Sequence, residues 1–141
     1  MVDAPSKAEL QQEQILVGRA GKLFDAMLNA LGLTRDIVYC SSVFKCAATE
    51  NLGESPQCDD ILARQISLIE PKVIVTFGEF AAQKVIKANE PLASLRQSKQ
   101  QCYTSNVVIV PTYSPAEMLN DASLKPSVWQ DLKRALALVA A

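Results

Sequence analysis

Histidine is missing from this chain altogether. That removes Ser-His and Cys-His catalysis, imidazole metal ligands and the side chain most often used as an acid or base near neutral pH. An excess of charge of one sign is missing too. The formal net charge is −1, with 21% charged residues, so overall charge offers no attraction to DNA and a DNA-binding surface has to gather its basic residues on one face. No apolar run is long enough to span a bilayer, and Met1 is followed by Val-Asp-Ala-Pro rather than by a basic stretch and an apolar segment, so no secretory signal is expected. Internal repeats and low-complexity tracts are absent as well. The cysteines Cys40, Cys46, Cys58 and Cys102 include no C-x-x-C pair. Without an export signal they are expected to be reduced thiols in a cytoplasmic protein.

What is present describes a folded domain. A chain of 141 residues that is 49% hydrophobic can bury a core and is not disordered. In "GRAGKLFDAMLNALGL", Leu23, Met27, Leu28 and Leu31 recur at helical spacing up to Gly32. Ile37 to Phe44 is β-rich and reads as a strand, and "AATENLGESPQ" reads as a loop. "CDDILARQISLIEPK" is a helix closed by Pro71. "VIVTFG", Val73 to Gly78, is the near-continuous apolar strand expected where both faces are covered. "EFAAQKVIKA" is a helix, "PLASLRQSKQ" a connection, and "QCYTSNVVIVPTY" a short strand, a turn at Ser105-Asn106 and a longer strand. The tail is a helix with Trp129, Leu132, Leu136 and Val139 along one face.

Strands alternating with helices predict an α/β fold, a three-layer sandwich around a short, mainly parallel sheet. Sites in such sheets gather at the carboxyl ends of the strands. The loops leaving those ends start at Lys45, at Gly78 and at Tyr113-Ser114-Pro115.

The order of "VGRAGKLFDAML", "VYCSSVFKC", "LIEPKVIVTFGEFAAQ", "VVIVPTYSPAEML" and "LKPSVWQDLKRAL" resembles the uracil-DNA glycosylase superfamily, nearest its iron–sulfur branch, called family four. The resemblance covers nearly the whole chain. It implies a single glycosylase-like domain over residues 1–141, shortened at its N-terminus, and a pocket that takes a base flipped out of DNA. Position by position it also implies departures. Ser114 stands where the family has a histidine that stabilises the uracil anion, and Ser42 where it has the asparagine that reads the uracil edge. Leu16 replaces the stacking phenylalanine. "VDAPS" keeps Asp3, Ala4 and Pro5 of the first motif but neither of its glycines. Asp3 is left as the candidate to position water, with Ser114 as the other catalytic candidate and Ala4, Pro5, Leu16 and Ser42 around the base. Arg19, Lys22, Lys45 and Pro115 are the candidates for DNA contact.

Cys46 and Cys58 match the second pair of cluster cysteines, and the first pair would lie upstream of Met1. A four-thiolate cluster is incomplete without them. No cofactor is therefore expected, an iron–sulfur cluster only if further ligands precede Met1. The family's first strand would also lie upstream, inside the sheet. Its loss implies a fragment, a rearranged sheet, or a slot that another chain fills, because an unfilled slot leaves strand edges open to pairing.

The departures lead us to expect a degenerate, non-catalytic domain. Such a domain would act in DNA replication or repair through contacts with replication or repair proteins, or with single- or double-stranded DNA, and not at a membrane. The psi subunit of the bacterial replicative polymerase clamp loader, a glycosylase-like fold without chemistry, is the precedent. The alternative is a divergent, active uracil-DNA glycosylase that uses Asp3 with a serine or backbone donor. The bland reading of Ser114-Pro115 is a helix cap, with serine preferred at the cap and proline at the first helical position.

Overall fold

The computed structural model describes residues 1–2, 18–41, 56–97, 100–102 and 105–140, with the backbone alone for 56–60. Along the described chain run α1 (Gly18–Ala30), α2 (Pro56–Ile69), β1 (Val73–Phe77), α3 (Glu79–Ile86), α4 (Leu92–Leu95), β2 (Gln100–Gln101), β3 (Val108–Thr112), α5 (Pro115–Asn120), a 3₁₀ turn (Ala122–Leu124) and α6 (Lys125–Ala140).

The sheet is ordered β1-β3-β2. β1 and β3 run parallel in a register from Val73 opposite Val108 to Phe77 opposite Thr112. β2 is a short antiparallel edge, with Gln100 opposite Ile109. Alternation along β1 sends its side chains to two cores. Ile74 joins Leu62 and Ile66 of α2, Ala81 and Val85 of α3, and Ile109. Phe77 joins Phe24 and Leu28 of α1, Met118 of α5, and Val128 and Leu132 of α6. Helices therefore cover both faces, as the apolar pattern of "VIVTF" implied. The rings of Phe24 and Phe77 meet edge to face at 5.7 Å.

Local chemistry explains the joints. Gly78 has φ 100°, a conformation open to glycine, and turns the chain from β1 directly into α3. Past α1 the chain also turns through a positive φ, at Gly32. Arg35 then folds back, its Nε 2.6 Å from Asp25 Oδ1 and its guanidinium 5.3 Å from the centre of the Phe24 ring.

Some details differ from expectation. Ile37 to Ser41 forms no regular strand, although Val2 N–H donates to the Ser41 carbonyl at 3.0 Å. "PLASL" is a short helix rather than a plain connection, because Leu92 and Leu95, three apart, both bury. The inward stripe of α6 is Val128, Asp131, Leu132 and Ala135, with Trp129 only half-buried. A carboxylate thus takes a core position that a hydrophobic pattern assigns to its neighbours. Among the described residues the buried Thr76 hydroxyl has no hydrogen-bond partner.

Candidate active site

Four stretches of backbone end side by side. The Met1 ammonium donates to the Val75 carbonyl at 2.6 Å, and Phe77 N–H donates to the Met1 carbonyl at 2.8 Å, the pattern of a parallel pair. Val2 N–H reaches Ser41, and Gly78 N–H donates to the Thr112 carbonyl at 2.9 Å. Laterally the order is Ser41, Val2, Phe77, Thr112. The chain therefore leaves one rim of the sheet toward Ser42, toward Asp3, into α3 and into Tyr113-Ser114. This is the carboxyl edge of the parallel strands, where such sheets place their chemistry.

Ser114 caps α5. Its Oγ accepts from Glu117 N–H at 3.1 Å, while Glu117 Oε1 lies 3.4 Å from Ser114 N and 3.2 Å from Ser114 Oγ, a reciprocal capping box. Pro115 takes the first helical position and is buried beneath the turn. Glu117 is thereby held to the turn instead of projecting freely from it.

Under the turn lies a polar network that the sequence reading missed. Asp131 is only 5% exposed. Its Oδ2 accepts from Thr112 Oγ1 at 2.8 Å and from Arg96 Nε at 2.7 Å, and Arg134 lies 3.7 Å from Oδ1. The Arg96 guanidinium also sits 5.0 Å from the centre of the Tyr113 ring. The hydrogen bond to Asp131 holds the Arg96 pKa above its already high ordinary value, so the cation is permanent. A signal for this network was present: Asp131 interrupts an apolar helical stripe, and a buried carboxylate requires a partner. Nothing in the spacing pointed to Arg96 as that partner.

The other sequence candidates divide in two. Arg19 and Lys22 are exposed on the first turns of α1. Asp3, Ala4, Pro5, Leu16, Ser42, Lys45 and Cys46 lie outside the described residues, and Cys58 falls in the first turn of α2. Cys40 and Cys102 belong to opposite cores. Among the described residues no group of three or more His, Cys, Asp or Glu side chains is placed to hold a metal ion. The described residues alone do not make up a four-thiolate set.

The family model of the uracil DNA glycosylase superfamily matches residues 3–133. The chain belongs to that superfamily. It is 32% identical to a protein of Archaeoglobus fulgidus over 94% of this chain and 71% of the relative. To one of Sulfurisphaera tokodaii it is 32% identical over 94% of this chain and 65% of the relative. To one of Thermotoga maritima it is 27% identical over 97% and 74%. All three relatives are named Type-4 uracil-DNA glycosylase. The superfamily acts on DNA, which makes DNA a partner of this fold.

Two expectations are corrected by these matches. A degenerate, non-catalytic domain was expected from the loss of histidine and asparagine, yet the relatives matched across nearly all of the chain carry the name of an enzyme. Reading each altered position as a lost function overlooked that a glycosylase pocket is assembled from several elements at once. The expectation that no cofactor is carried is withdrawn as well, because the relatives are of type four, the branch for which the resemblance implies an iron–sulfur cluster. Among the described residues no helix is long and apolar enough to cross a membrane.

Proposed function

We propose that the chain is a divergent but active uracil-DNA glycosylase of base excision repair, a single domain working on DNA in the cytoplasm. The observation that carries this reading is the convergence of Ser41, Val2, Phe77 and Thr112 at one rim, which brings the stretches before Ser42 and Asp3 alongside the Ser114 turn. The relatives' shared name supports it.

The reaction is hydrolysis of the bond between uracil and deoxyribose. Flipping the nucleotide out of the helix costs a few kcal/mol, recovered by contacts in the pocket. As the bond lengthens, negative charge moves onto the uracil ring and positive character onto the sugar. Asp3 carries the role of positioning the water that attacks the sugar carbon, and its carboxylate offsets the positive character there. Water adds at that carbon, the glycosidic electron pair leaves with uracil, and a proton from the water completes the free base.

The departing anion needs a donor that is in place before charge develops. The Tyr113-to-Pro115 turn supplies it through Ser114, whose hydroxyl exchanges Glu117 Oε1 for a uracil oxygen. A hydroxyl gives one hydrogen bond and no positive charge, so turnover is slow. The resemblance assigns Ala4, Pro5, Leu16 and Ser42 to contact with the base, and Arg19, Lys22, Lys45 and Pro115 to contact with DNA.

The test is incubation with uracil-containing single-stranded DNA, scoring abasic sites by alkaline cleavage. Single-turnover release of uracil that Asp3→Asn abolishes is the expected result. Absence of release at enzyme in large excess defeats the proposal.

A further inference from the structure

The two residues that lead into Ser114 are tied to one ion pair. Thr112 Oγ1 donates to Asp131 Oδ2 at 2.8 Å, Arg96 Nε donates to the same oxygen at 2.7 Å, and the Arg96 guanidinium lies 5.0 Å from the centre of the Tyr113 ring. We infer that Arg96 is a positioning residue of the excision reaction: through the Tyr113 ring it fixes where the Ser114 hydroxyl stands. This rests on the glycosylase reading, in which that hydroxyl serves the departing base.

Arg96 is itself held by α6 at both ends. Its Nη2 lies 3.4 Å from the Ser127 carbonyl, and its own carbonyl accepts from Arg134 Nη1 at 3.3 Å. Ser127, Asp131 and Arg134, spaced along one helix, thus fix both the plane of the guanidinium and the backbone that carries it. The Arg96 side chain is 19% exposed and that of Asp131 6%, so water competes little for the pair. A guanidinium has a flat face that stacks on an aromatic ring, and a lysine ammonium has none.

The rest of the turn leaves Tyr113 as the part that Arg96 governs. Thr112 is fully buried before it, and Pro115 and Met118 are buried after it, so packing alone anchors the chain on either side. Tyr113 is half-buried, touching the cluster of Phe77 and Met118 and the cluster of Ala82, Leu92 and Leu95. Stability does not require an ion pair beneath it, because well-packed apolar residues in place of a buried pair are often neutral or stabilising. What apolar packing lacks is a fixed direction. A donor lowers the barrier only if it stands in place before charge develops on the base, and a misplacement of about 1 Å can cost about 10² in rate.

The test is single-turnover base release by Arg96→Lys, which keeps a cation beside Asp131, and by Tyr113→Leu, which removes the ring. Both are checked for folding by circular dichroism. At saturating enzyme the rate on uracil-containing single-stranded DNA is expected to fall at least about tenfold in each, and no further than in Ser114→Ala, while the half-saturating enzyme concentration stays the same. The same DNA carrying 5-fluorouracil supplies a second readout. That base departs more readily and needs its donor less, so both variants lose less on it. It also keeps slow variants measurable, and on it Arg96→Lys combined with Ser114→Ala loses no more than Ser114→Ala alone. An equal fold-loss on the two bases, or a further loss in the double variant, makes Arg96 a support of the fold alone and overturns the inference. An unchanged rate in Arg96→Lys overturns it too, and so does a loss seen only in the half-saturating concentration. Absence of release by the native chain from either DNA defeats the glycosylase reading and this inference with it.

Discussion

Arg96 and Asp131, 35 positions apart in the chain, meet at 2.7 Å directly beneath the Tyr113 ring. The pair fastens the segment after α4 to α6 and, through Thr112 Oγ1, both to the end of β3. Breaking a buried pair by removing one member leaves the other charge unpaired, which typically costs about 3–5 kcal/mol. Asp131→Ala is therefore expected to lower the urea midpoint severely, and Thr112→Val to cost about 1 kcal/mol for its single neutral donor. Arg96→Met in the Asp131→Ala background adds less than it does alone, because the two residues share one interaction. Additive losses in the double variant would show that the pair is not the fastening.

Ser114 caps α5, and stability and kinetics separate that cap from the donor role proposed for its hydroxyl. As a cap, its replacement by alanine costs about 1 kcal/mol of stability. If the hydroxyl is the proposed donor to departing uracil, the same replacement costs about 10²–10³ in single-turnover rate. Glu117→Gln disturbs the cap and leaves the hydroxyl in place, so it lowers the melting temperature with little loss of rate. Parallel losses of rate in both variants would assign Ser114 to the cap alone.

Sequence pattern located the sheet and most helices because the strongest signals are local. "VIVTF" between Pro71 and Gly78 is five residues of apolar strand with its own stop signals. Ser114-Pro115 followed by Glu117 spells a capping box on its face. What escaped depends on distance along the chain. Nothing near Arg96 announces Asp131, and nothing near Met1 announces Val75 or Phe77, 74 or more positions away. The strand read at Ile37–Phe44 carries β-forming residues, yet over Ile37–Ser41 no regular strand forms. A ladder needs a neighbour along its length, and among the described residues the backbone hydrogen bond to that stretch is the one from Val2 to Ser41. The candidate site was legible as a set of loops and not as a set of distances.

Thr76 is fully buried in the middle of β1 with its hydroxyl unpartnered among the described residues. A buried hydroxyl without a partner keeps its desolvation cost and returns nothing. Valine has nearly the same shape and suits a strand better. Thr76→Val is expected to raise stability by about 1 kcal/mol, a gain of a few degrees in melting temperature for a domain of this size. A loss on this substitution would mean that the hydroxyl is bonded in solution.

Cys40 offers a prediction with a definite sign. Burial pushes its thiol pKa up, only partly opposed by the Met1 ammonium and Arg35, while Asp25 adds to the rise. A raised pKa in the folded state means that folding favours the neutral thiol. The unfolded chain loses its proton near the ordinary thiol value of about 8.5, whereas the folded chain keeps it to higher pH. Stability from this site is therefore complete below that value and drains away as pH rises from there through the folded pKa. Two measurements follow. Urea midpoints fall above the ordinary thiol pKa in the native chain and fall less in Cys40→Ala. Iodoacetamide labels Cys40 more slowly than a peptide thiol at pH 8, with a rate that keeps climbing after the peptide has levelled off. Labelling at the peptide rate would place the thiolate in solvent and remove the burial on which the prediction stands.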